Sequence, residues 1–308
     1  MSKMPSEQHQ RLIGYGLVLL GASGFSAKAI FIKLAYQAHS QVDALTLLAM
    51  RMLFALPLFV LVALWQHKQS TAVPLTKRQW LEVIVLGLIG YYIASYLDFL
   101  GLQYISAGLE RVIIFLYPTF VVLFSALFYK RRITARVAIA LGLSYIGTLW
   151  VFIEHLSFVS PGLLTGSGFV LSSAIVFSWF VMGSGVMTLR IGSARFTAYT
   201  MIVASIATLI HFACRQGVIM PFPPLLGWER VYGLAFFMAV FSTVLPAFFM
   251  NAGIRRIGAG SASIISTTGP IATLVLAYFF LAETITLMQL AGTVFVLAGV
   301  YVVGKAKV

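Results

Sequence analysis

Apolar stretches of about 20 residues alternate with short polar turns along almost the entire chain. Ten such stretches are found, covering approximately residues 12–36, 43–64, 79–101, 105–129, 135–153, 163–189, 195–214, 230–254, 259–281 and 285–304. A hydrocarbon layer of about 30 Å requires roughly 20 apolar residues in one helix, so each stretch is close to the length needed to cross it. The pattern predicts an all-α integral membrane protein with ten transmembrane helices. Residues 1–10 are polar and are predicted to form a disordered N-terminal tail.

The second half of the chain repeats the first half at a fixed offset. Residues 101–134 recur without a gap as residues 253–286, 152 positions later, with nine identical positions. A unit of five helices ends on the opposite side of the membrane from its start, so a second copy must be inserted upside down. The chain is therefore predicted to contain two inverted five-helix repeats, at residues 11–155 and 160–308.

The placement of the charges orients these helices. Only 9% of the residues are charged, whereas a soluble domain carries about 25%. The net charge is +13, but the basic residues lie in short turns and form no stripe, which argues against nucleic acid as a partner. Fifteen Lys and Arg residues fall in turns on the N-terminal side of the predicted membrane, and three fall on the other side. By the positive-inside rule, both termini are predicted to be cytoplasmic.

Several chemistries have no residues to support them. The sequence contains no Gly-x4-Gly-Lys-Ser/Thr phosphate loop, so ATP-driven pumping by this chain is not expected. One cysteine and five scattered histidines form no disulfide or metal-binding pattern. The loops are too short to hold a water-soluble domain. The sequence therefore predicts no enzyme activity, no cofactor and no metal site, and it places the function inside the bilayer.

Four features of the sequence carry a family resemblance. They are AKAIFIKLAY at 27–36, DALTLLAMRMLFALP at 43–57, the paired Ala-Gly turns and prolines of the repeat, and LAETITLMQLAGTVFVLAGVYVV at 281–303. Together they resemble the drug/metabolite transporter superfamily, specifically proteins with two EamA-type domains. The resemblance implies a central cavity between the halves, lined by helices 1, 3, 4, 6, 8 and 9, and the export or exchange of small metabolites such as amino acids. The first half departs from the closing motif, since Arg131 stands where the second half has Glu283, so little weight is placed on Glu283 in transport.

Three charged residues within or near the predicted spans are candidates for the transport site, because charges at membrane depth are costly unless paired or hydrated. Lys28 lies in the middle of the first span, where three roles are open: attraction of an anionic substrate group, pairing with a buried carboxylate, or snorkelling. Asp98 is expected to pair with Lys28 or Arg111, or to bind a proton during transport, because burial disfavours a charged carboxylate. Arg111, whose repeat counterpart is Ser263, is expected to meet a carboxylate at the outer mouth.

Other charges in and near the spans are predicted to be structural. Arg51 is expected to form an ion pair or to contact backbone carbonyls, because the resemblance places its helix at the periphery. Glu110 begins the fourth span and is predicted to be a cap-region residue, which the helix dipole favours. Lys33 lies near the outer end of its helix and is expected to snorkel.

Aromatic and small polar residues complete the candidate cavity. Seven aromatic residues lie on helices that the resemblance places around it: the candidate site residues Tyr92, Tyr96, Tyr117 and Trp179, together with Tyr91, Phe177 and Phe248. An aromatic stripe at helical spacing more often serves packing, so both roles remain open for them. Ser263, Ser266 and Thr267 are expected either to allow close helix packing or to line the cavity beside a kink. Pro118 and Pro270 are the predicted hinges.

The sequence predicts a secondary transporter that moves a small organic metabolite, amino-acid-like by resemblance, across the cytoplasmic membrane by alternating access. Its expected partners are this substrate and the lipid bilayer. Proton coupling through Asp98 and facilitated transport without an ion are both open. The alternatives are a non-transporting scaffold, which requires a packed interior, and, less favoured, a membrane enzyme, which requires a buried cluster of catalytic groups. The sequence carries no signal for the oligomeric state.

Overall fold

The computed structural model describes residues 7–69, 74–129, 135–156, 162–216, 222–266 and 268–305, and all regular structure in these ranges is helical. The α-helices are α1 Glu7–Ala38, α2 Ala44–Gln69, α3 Lys77–Gly87, α4 Ala94–Gly101, α5 Ala107–Ile114, α6 Tyr117–Tyr129, α7 Ala135–Leu156, α8 Leu163–Ile191, α9 Ser193–Gln216, α10 Glu229–Ala239, α11 Leu245–Ser266, α12 Gly269–Leu281 and α13 Leu287–Lys305. A π-helical turn joins α3 to α4 over Leu88–Ile93, and a second joins α10 to α11 over Val240–Val244.

Seven helical runs are long and apolar enough to cross a membrane. They are Gln8–Ala38, Ala44–Gln66, Lys77–Gly101, Ala107–Phe128, Leu163–Ile191, Ser193–Arg215 and Glu229–Gly258. Three shorter apolar helices lie in the regions of the remaining predicted spans, at Leu141–Ile153, Gly269–Leu281 and Leu287–Gly299. The chain is therefore an all-helical, multi-pass membrane protein.

The N-terminal tail is shorter than the sequence predicted. Helix α1 begins at Glu7, so residues 7–10 are helical, and residues 1–6 lie outside the described part of the chain. Glu and Gln are good helix formers, and the helix can continue beyond the apolar layer because water satisfies its exposed backbone groups.

Interruptions in the helices recur at equivalent positions of the two halves. The π-helical turns begin at Leu88 and Val240, which are separated by the repeat offset. The fourth predicted span breaks between α5 and α6, and Pro118 lies in the first turn of α6. Pro270 lies in the first turn of α12 in the same way. Proline is tolerated there because the first turn needs no N–H donor, so each proline begins a new helix rather than bending a continuous one.

The two halves contact each other through matched glycines. A Cβ atom at Gly101 would overlap the side chain of Val170 and lie 2.9 Å from the carbonyl oxygen of Gly166. A Cβ atom at Gly253 would overlap the side chain of Val18 and lie 3.0 Å from the carbonyl oxygen of Gly14. Both contacts use residues separated by the repeat offset, so α1 packs on α11 as α8 packs on α4.

Equivalent helices of the two halves also pack against each other, and they run antiparallel. Asp43, just before α2, forms an ion pair with Arg215 near the end of α9 at 3.3 Å. Nearer the middle of the same two helices, the Ser205 hydroxyl donates to the sulfur of Met52 at 3.6 Å. Helices α7 and α13 form a second such pair. The two halves therefore pack against each other as one continuous assembly of helices.

Candidate functional site

A cavity of about 380 Å³ lies where the two halves meet. Its wall contains aromatic and methionine side chains. It also contains charged and hydroxyl-bearing residues from both halves, among them Lys28, Arg51, Asp98, Arg111 and Thr243. Helices α1, α2, α4, α5, α6, α8, α9 and α11 and both π-helical turns contribute residues to it. The scaffold alternative, which required a packed interior, does not fit this arrangement. Cavities of this size with a few convergent polar groups are typical of small-molecule sites.

Lys28 and Asp98 form a salt bridge on the cavity wall. The carboxylate is almost fully buried, whereas the Lys28 side chain is 21% exposed. The Lys28 ammonium group contacts Oδ2, and the Oδ1 atom of Asp98 has no hydrogen-bond partner among the described residues. One of the two pairings expected for Asp98 is thus observed, and one acceptor on the cavity wall remains unused.

Glu110 lies beside Asp98 in the protein interior. Its side chain is completely buried, and both of its carboxyl oxygens lack a hydrogen-bond donor in the described part of the chain. The Asp98 and Glu110 carboxyl groups are near neighbours, and Lys28 and Arg111 lie within electrostatic range of them. Glu110 lies in the first turn of α5, as the sequence predicted, but its carboxylate makes no capping hydrogen bond among the described residues. The N-cap is Ser106, whose hydroxyl accepts from the N–H of Leu109 at 3.2 Å.

Arg111 joins the two halves of the protein at the cavity. Its Nε atom donates to the hydroxyl of Thr273 on α12 at 2.8 Å, and its guanidinium group lies over the ring of Phe115 at 5.6 Å. Tyr117 lies close by and packs edge-on against Phe177 of α8 at 5.2 Å between ring centroids. Both predicted residues line the cavity, although the first contact of Arg111 is a hydroxyl rather than a carboxylate.

Arg51 also lines the cavity, contrary to the peripheral position expected for its helix. Its Nε atom donates to the hydroxyl of Thr243 at 3.0 Å, and its guanidinium group lies over the ring of Phe99 at 5.6 Å. Only 5% of Arg51 is exposed, and its Nη1 atom has no partner among the described residues. Thr243 belongs to the second π-helical turn, a type of distortion that is frequent at functional sites.

Four predicted site residues lie away from the cavity wall. The Tyr92 hydroxyl is 2.8 Å from Nδ1 of His211, and Tyr96 packs against the same imidazole ring. Trp179 is 40% exposed and stacks on Phe124. The Ser266 hydroxyl donates back to the carbonyl of its own helix at Ala262. These four residues therefore have packing or hydrogen-bonding contacts with protein groups and no place in the cavity wall. The side chain of Ser263 and the whole of Thr267 lie outside the described residues.

Sequence reasoning missed Ser95 and Ser173 of the wall. Tyr91, Ser95 and Asp98 all line the cavity, and they are spaced at i, i+4 and i+7, the spacing of one helical face. Starting from Asp98, that spacing would have selected Ser95 and would have separated Tyr91, which lines the cavity, from Tyr92 and Tyr96, which do not. Ser173 of α8 also lines the cavity, and its hydroxyl donates to the carbonyl of Ala94 at 2.7 Å.

Glu283 links the second half of the protein to the N-terminus of α5. Its carboxylate accepts hydrogen bonds from the N–H groups of Ala107 and Gly108 at 3.0 and 3.3 Å, at the N-terminus of α5. Lys33 donates to the carbonyls of Leu102 and Ile105 at 3.3 and 3.0 Å, in the turn that precedes α5. Glu283 therefore caps the helix that carries Glu110 and Arg111, a role that the sequence did not assign to it.

The fold and the cavity define a multi-pass helical membrane protein of the transporter class. The sequence profile of the EamA-like transporter family matches the chain twice, at residues 12–153 and 164–305. The chain therefore belongs to the EamA-like transporter family, as the resemblance predicted.

Two similar proteins are named as transporters, and a third shares the fold. It is 30% identical to the uncharacterized transporter YcbK of Bacillus subtilis, over 93% of this chain and 91% of that one. It is 24% identical to the uncharacterized inner membrane transporter YicL of Salmonella typhimurium, over 93% and 91% of the two chains. A crystal structure with 16% identity superposes with a TM-score of 0.59, covers 97% of this chain and 98% of that chain, and shows the same fold.

Proposed function

We propose that this protein is a secondary transporter of a small organic metabolite, and that it works by alternating access. In this proposal the chain crosses the cytoplasmic membrane ten times, as two inverted five-helix repeats with both termini in the cytoplasm. The family supports transport as the class of function, and the amino-acid-like character of the substrate follows from the resemblance alone.

The observation that carries the proposal is a cavity between the halves whose wall contains ionised side chains. Charged groups deep in a membrane protein are costly unless they serve a pathway or are paired. Here Lys28, Asp98 and Arg111 all reach the same 380 Å³ space. The free-energy cost of placing these charged groups deep in the membrane is explained if the cavity is a passage for a polar molecule.

The matched contacts of the two halves support alternation between two closed ends. Because α1 packs on α11 as α8 packs on α4, a rearrangement that opens one end has a symmetry-related counterpart at the other. In the proposed cycle, the contact of Glu283 with the N-terminus of α5 keeps the cavity closed on that side. Pro118 and Pro270 begin the helices that follow the breaks, so rotation at these breaks would let α6 and α12 move without unfolding.

Proton coupling is the second part of the proposal. Asp98 and Glu110 are adjacent, buried and close to Lys28, so a proton bound by the pair would weaken the Lys28–Asp98 salt bridge. Substrate could then compete for Lys28 or Asp98. Facilitated transport, without an ion, is the alternative within the same fold.

A two-stage experiment tests the proposal. Purified protein is first screened for thermal stabilisation by amino acids, nucleosides, sugars and organic acids, because a ligand that binds the folded state raises its melting temperature. The strongest compound is then radiolabelled and its uptake is measured in proteoliposomes with and without a pH gradient. Uptake that follows the gradient in the wild type but not in Asp98→Asn supports coupling. Uptake that ignores the gradient leaves facilitated transport, and no uptake of any stabilising compound contradicts the transporter proposal.

A further inference from the structure

We propose that Arg51 binds a carboxylate group of the molecule that occupies the cavity. This inference deepens the proposed function and rests on it for the identity of the ligand as a transported molecule. It concerns a residue that the sequence had assigned to a structural role on a peripheral helix.

The first argument is the unused hydrogen-bonding capacity of Arg51. A guanidinium group has five N–H donors. Nε is used by Thr243, while Nη1 is buried and has no partner in the described ranges. A buried donor without an acceptor is costly, and that cost is removed if a ligand supplies the acceptor.

The second argument is the balance of charge around the cavity. Lys28, Arg51 and Arg111 are basic, and the nearby acids are Asp98 and Glu110. Lys28 holds Asp98 in a salt bridge, and Glu110 lies within electrostatic range of Arg111. Among the described residues no carboxylate forms an ion pair with Arg51, whose contacts are the Thr243 hydroxyl and the Phe99 ring. One positive charge is therefore left uncompensated when both acids are ionised.

The third argument is that the arrangement holds the guanidinium in place. Thr243 fixes one edge of the planar group, and Thr243 is itself held by a hydrogen bond from its hydroxyl to the carbonyl of Met238 at 3.1 Å. Phe99 covers one face. A guanidinium in a fixed orientation binds a carboxylate with two parallel hydrogen bonds, at a smaller entropic cost than a mobile side chain.

The remaining wall determines the rest of the ligand. Phe25, Phe59, Tyr91 and Met201 line the same cavity as Arg51. These side chains suit an apolar or aromatic body attached to the carboxylate. A single uncompensated charge also favours a monoanion over a dianion such as a phosphate monoester.

The test compares ligands that differ only in the charged group. Purified full-length protein is titrated with 3-phenylpropionate, 3-phenylpropionamide, phenylalanine and phenyl phosphate, and an aliphatic pair, 4-methylpentanoate and its amide, is run alongside. We expect the carboxylates to stabilise the protein and to bind at least tenfold more tightly than the matched amides. Equal binding of acid and amide in both pairs, no stabilisation by any carboxylate, or tighter binding of phenyl phosphate would overturn the proposal.

Variants then assign the preference to Arg51. Arg51→Gln should weaken carboxylate binding at least tenfold and leave amide binding unchanged, whereas Arg51→Lys should retain part of the preference. Thr243→Val, which removes the orienting hydroxyl, should weaken carboxylate binding several-fold. Arg195→Gln is the matched control, because Arg195 is also a buried arginine with a tyrosine ring 5.5 Å away, but it lies outside the cavity wall.

The outcomes separate this inference from the proposed transport. Arg51-dependent binding without uptake in proteoliposomes would contradict transport and keep the binding site. Uptake that shows no preference for carboxylates, or a preference that survives Arg51→Gln, would contradict the binding site and keep transport. If Arg51→Gln does not fold, a several-fold smaller acid-over-amide preference in Thr243→Val supports the binding site, and an unchanged preference there contradicts it.

Discussion

Lys28 of α1 and Asp98 of α4 form a salt bridge, although the two residues are 70 positions apart in the chain. The pair lies on the wall of the central cavity, with the carboxylate buried and the ammonium group partly exposed. It is therefore positioned both to stabilise the first half of the protein and to respond to whatever enters the cavity.

Breaking this salt bridge from one side should destabilise the protein more than removing both partners. Lys28→Met leaves a buried carboxylate without its partner, and loss of one partner of a buried pair costs about 3–5 kcal/mol. Asp98→Asn leaves an ammonium group that is partly exposed, so its cost should be smaller. We expect each single variant to melt several degrees lower and the double variant Lys28→Met/Asp98→Asn to recover part of the loss. Thermal unfolding of the three purified proteins measures this.

The exposed ion pair between Arg78 and Glu82 is the control for that cycle. The Arg78 side chain is 87% exposed, so water screens the interaction and Arg78→Gln should leave the melting temperature nearly unchanged. Additive effects of the Lys28 and Asp98 substitutions would show that the two side chains do not interact in solution.

Alanine at the matched glycines should destabilise both halves alike. The added Cβ of Gly101→Ala would meet Val170 and the backbone of Gly166, and that of Gly253→Ala would meet Val18 and the backbone of Gly14. Overpacking of this kind costs about 1–3 kcal/mol, which exceeds the gain of up to about 1 kcal/mol in helix propensity. Melting temperatures should fall for both variants.

Gly16 and Gly168 provide the control, since a Cβ at either position meets nothing within 4 Å. Alanine there should leave stability unchanged or raise it. A fall in the melting temperature for these variants, comparable with that at Gly101 and Gly253, would contradict the close contact between the halves.

Loss of the Glu283 carboxylate should loosen the N-terminus of α5. Glu283→Ala removes the acceptor for the N–H groups of Ala107 and Gly108, and a lost helix cap costs about 1 kcal/mol. Hydrogen exchange of residues 106–115 should therefore become about fivefold faster, since exchange reports local opening.

Glu229→Ala serves as the control for this effect. The Glu229 carboxylate accepts the N–H of Gly227 at 3.0 Å in a different turn, so its loss should affect that turn alone. Unchanged hydrogen exchange over residues 106–115 in Glu283→Ala would mean that Glu283 does not stabilise the N-terminus of α5.

Filling the cavity should block uptake without unfolding the protein. Ser95 lines the cavity, and Ser95→Trp would occupy part of its 380 Å³. We expect uptake of the best-binding compound to fall at least tenfold. Ser172→Trp, on the exposed side of α8, should transport normally. Full activity of Ser95→Trp would place the transport path elsewhere.

The strongest sequence predictions were those that depend on periodicity and repetition. Apolar length predicted a helical membrane protein, and seven helical runs in the described part of the chain are long and apolar enough to cross a membrane. The repeat offset paired Gly101 with Gly253, and the structure gives these two glycines matched contacts, with Gly166 and Gly14 respectively. The charge pattern also led to Lys28, Asp98 and Arg111 as cavity residues, because charges at membrane depth rarely lack a purpose. The orientation of the helices in the membrane, with both termini in the cytoplasm, stays a prediction.

The weaker predictions depended on which way a side chain faces. Tyr91 and Tyr92 were both named on the helices around the cavity and Tyr92 was taken as the site residue, but Tyr91 faces the cavity, because adjacent residues on a helix point about 100° apart and the π-helical turn at 88–93 shifts the register further. Arg51 was assigned to the periphery, since the resemblance described helices and not the reach of a long side chain. The contact of Glu283 with the N-terminus of α5 was missed, because it joins residues 176 positions apart.

The sequence by itself determined the membrane setting, the helical class, the repeat and the family, because these follow from local composition and from similarity along the chain. Only the tertiary structure decided which charges share a cavity, which glycines meet, and that Arg51 faces Thr243 from a helix 192 residues away. Such contacts depend on the rotation of each helix about its axis. That rotation is set by packing between the halves, which no single segment encodes.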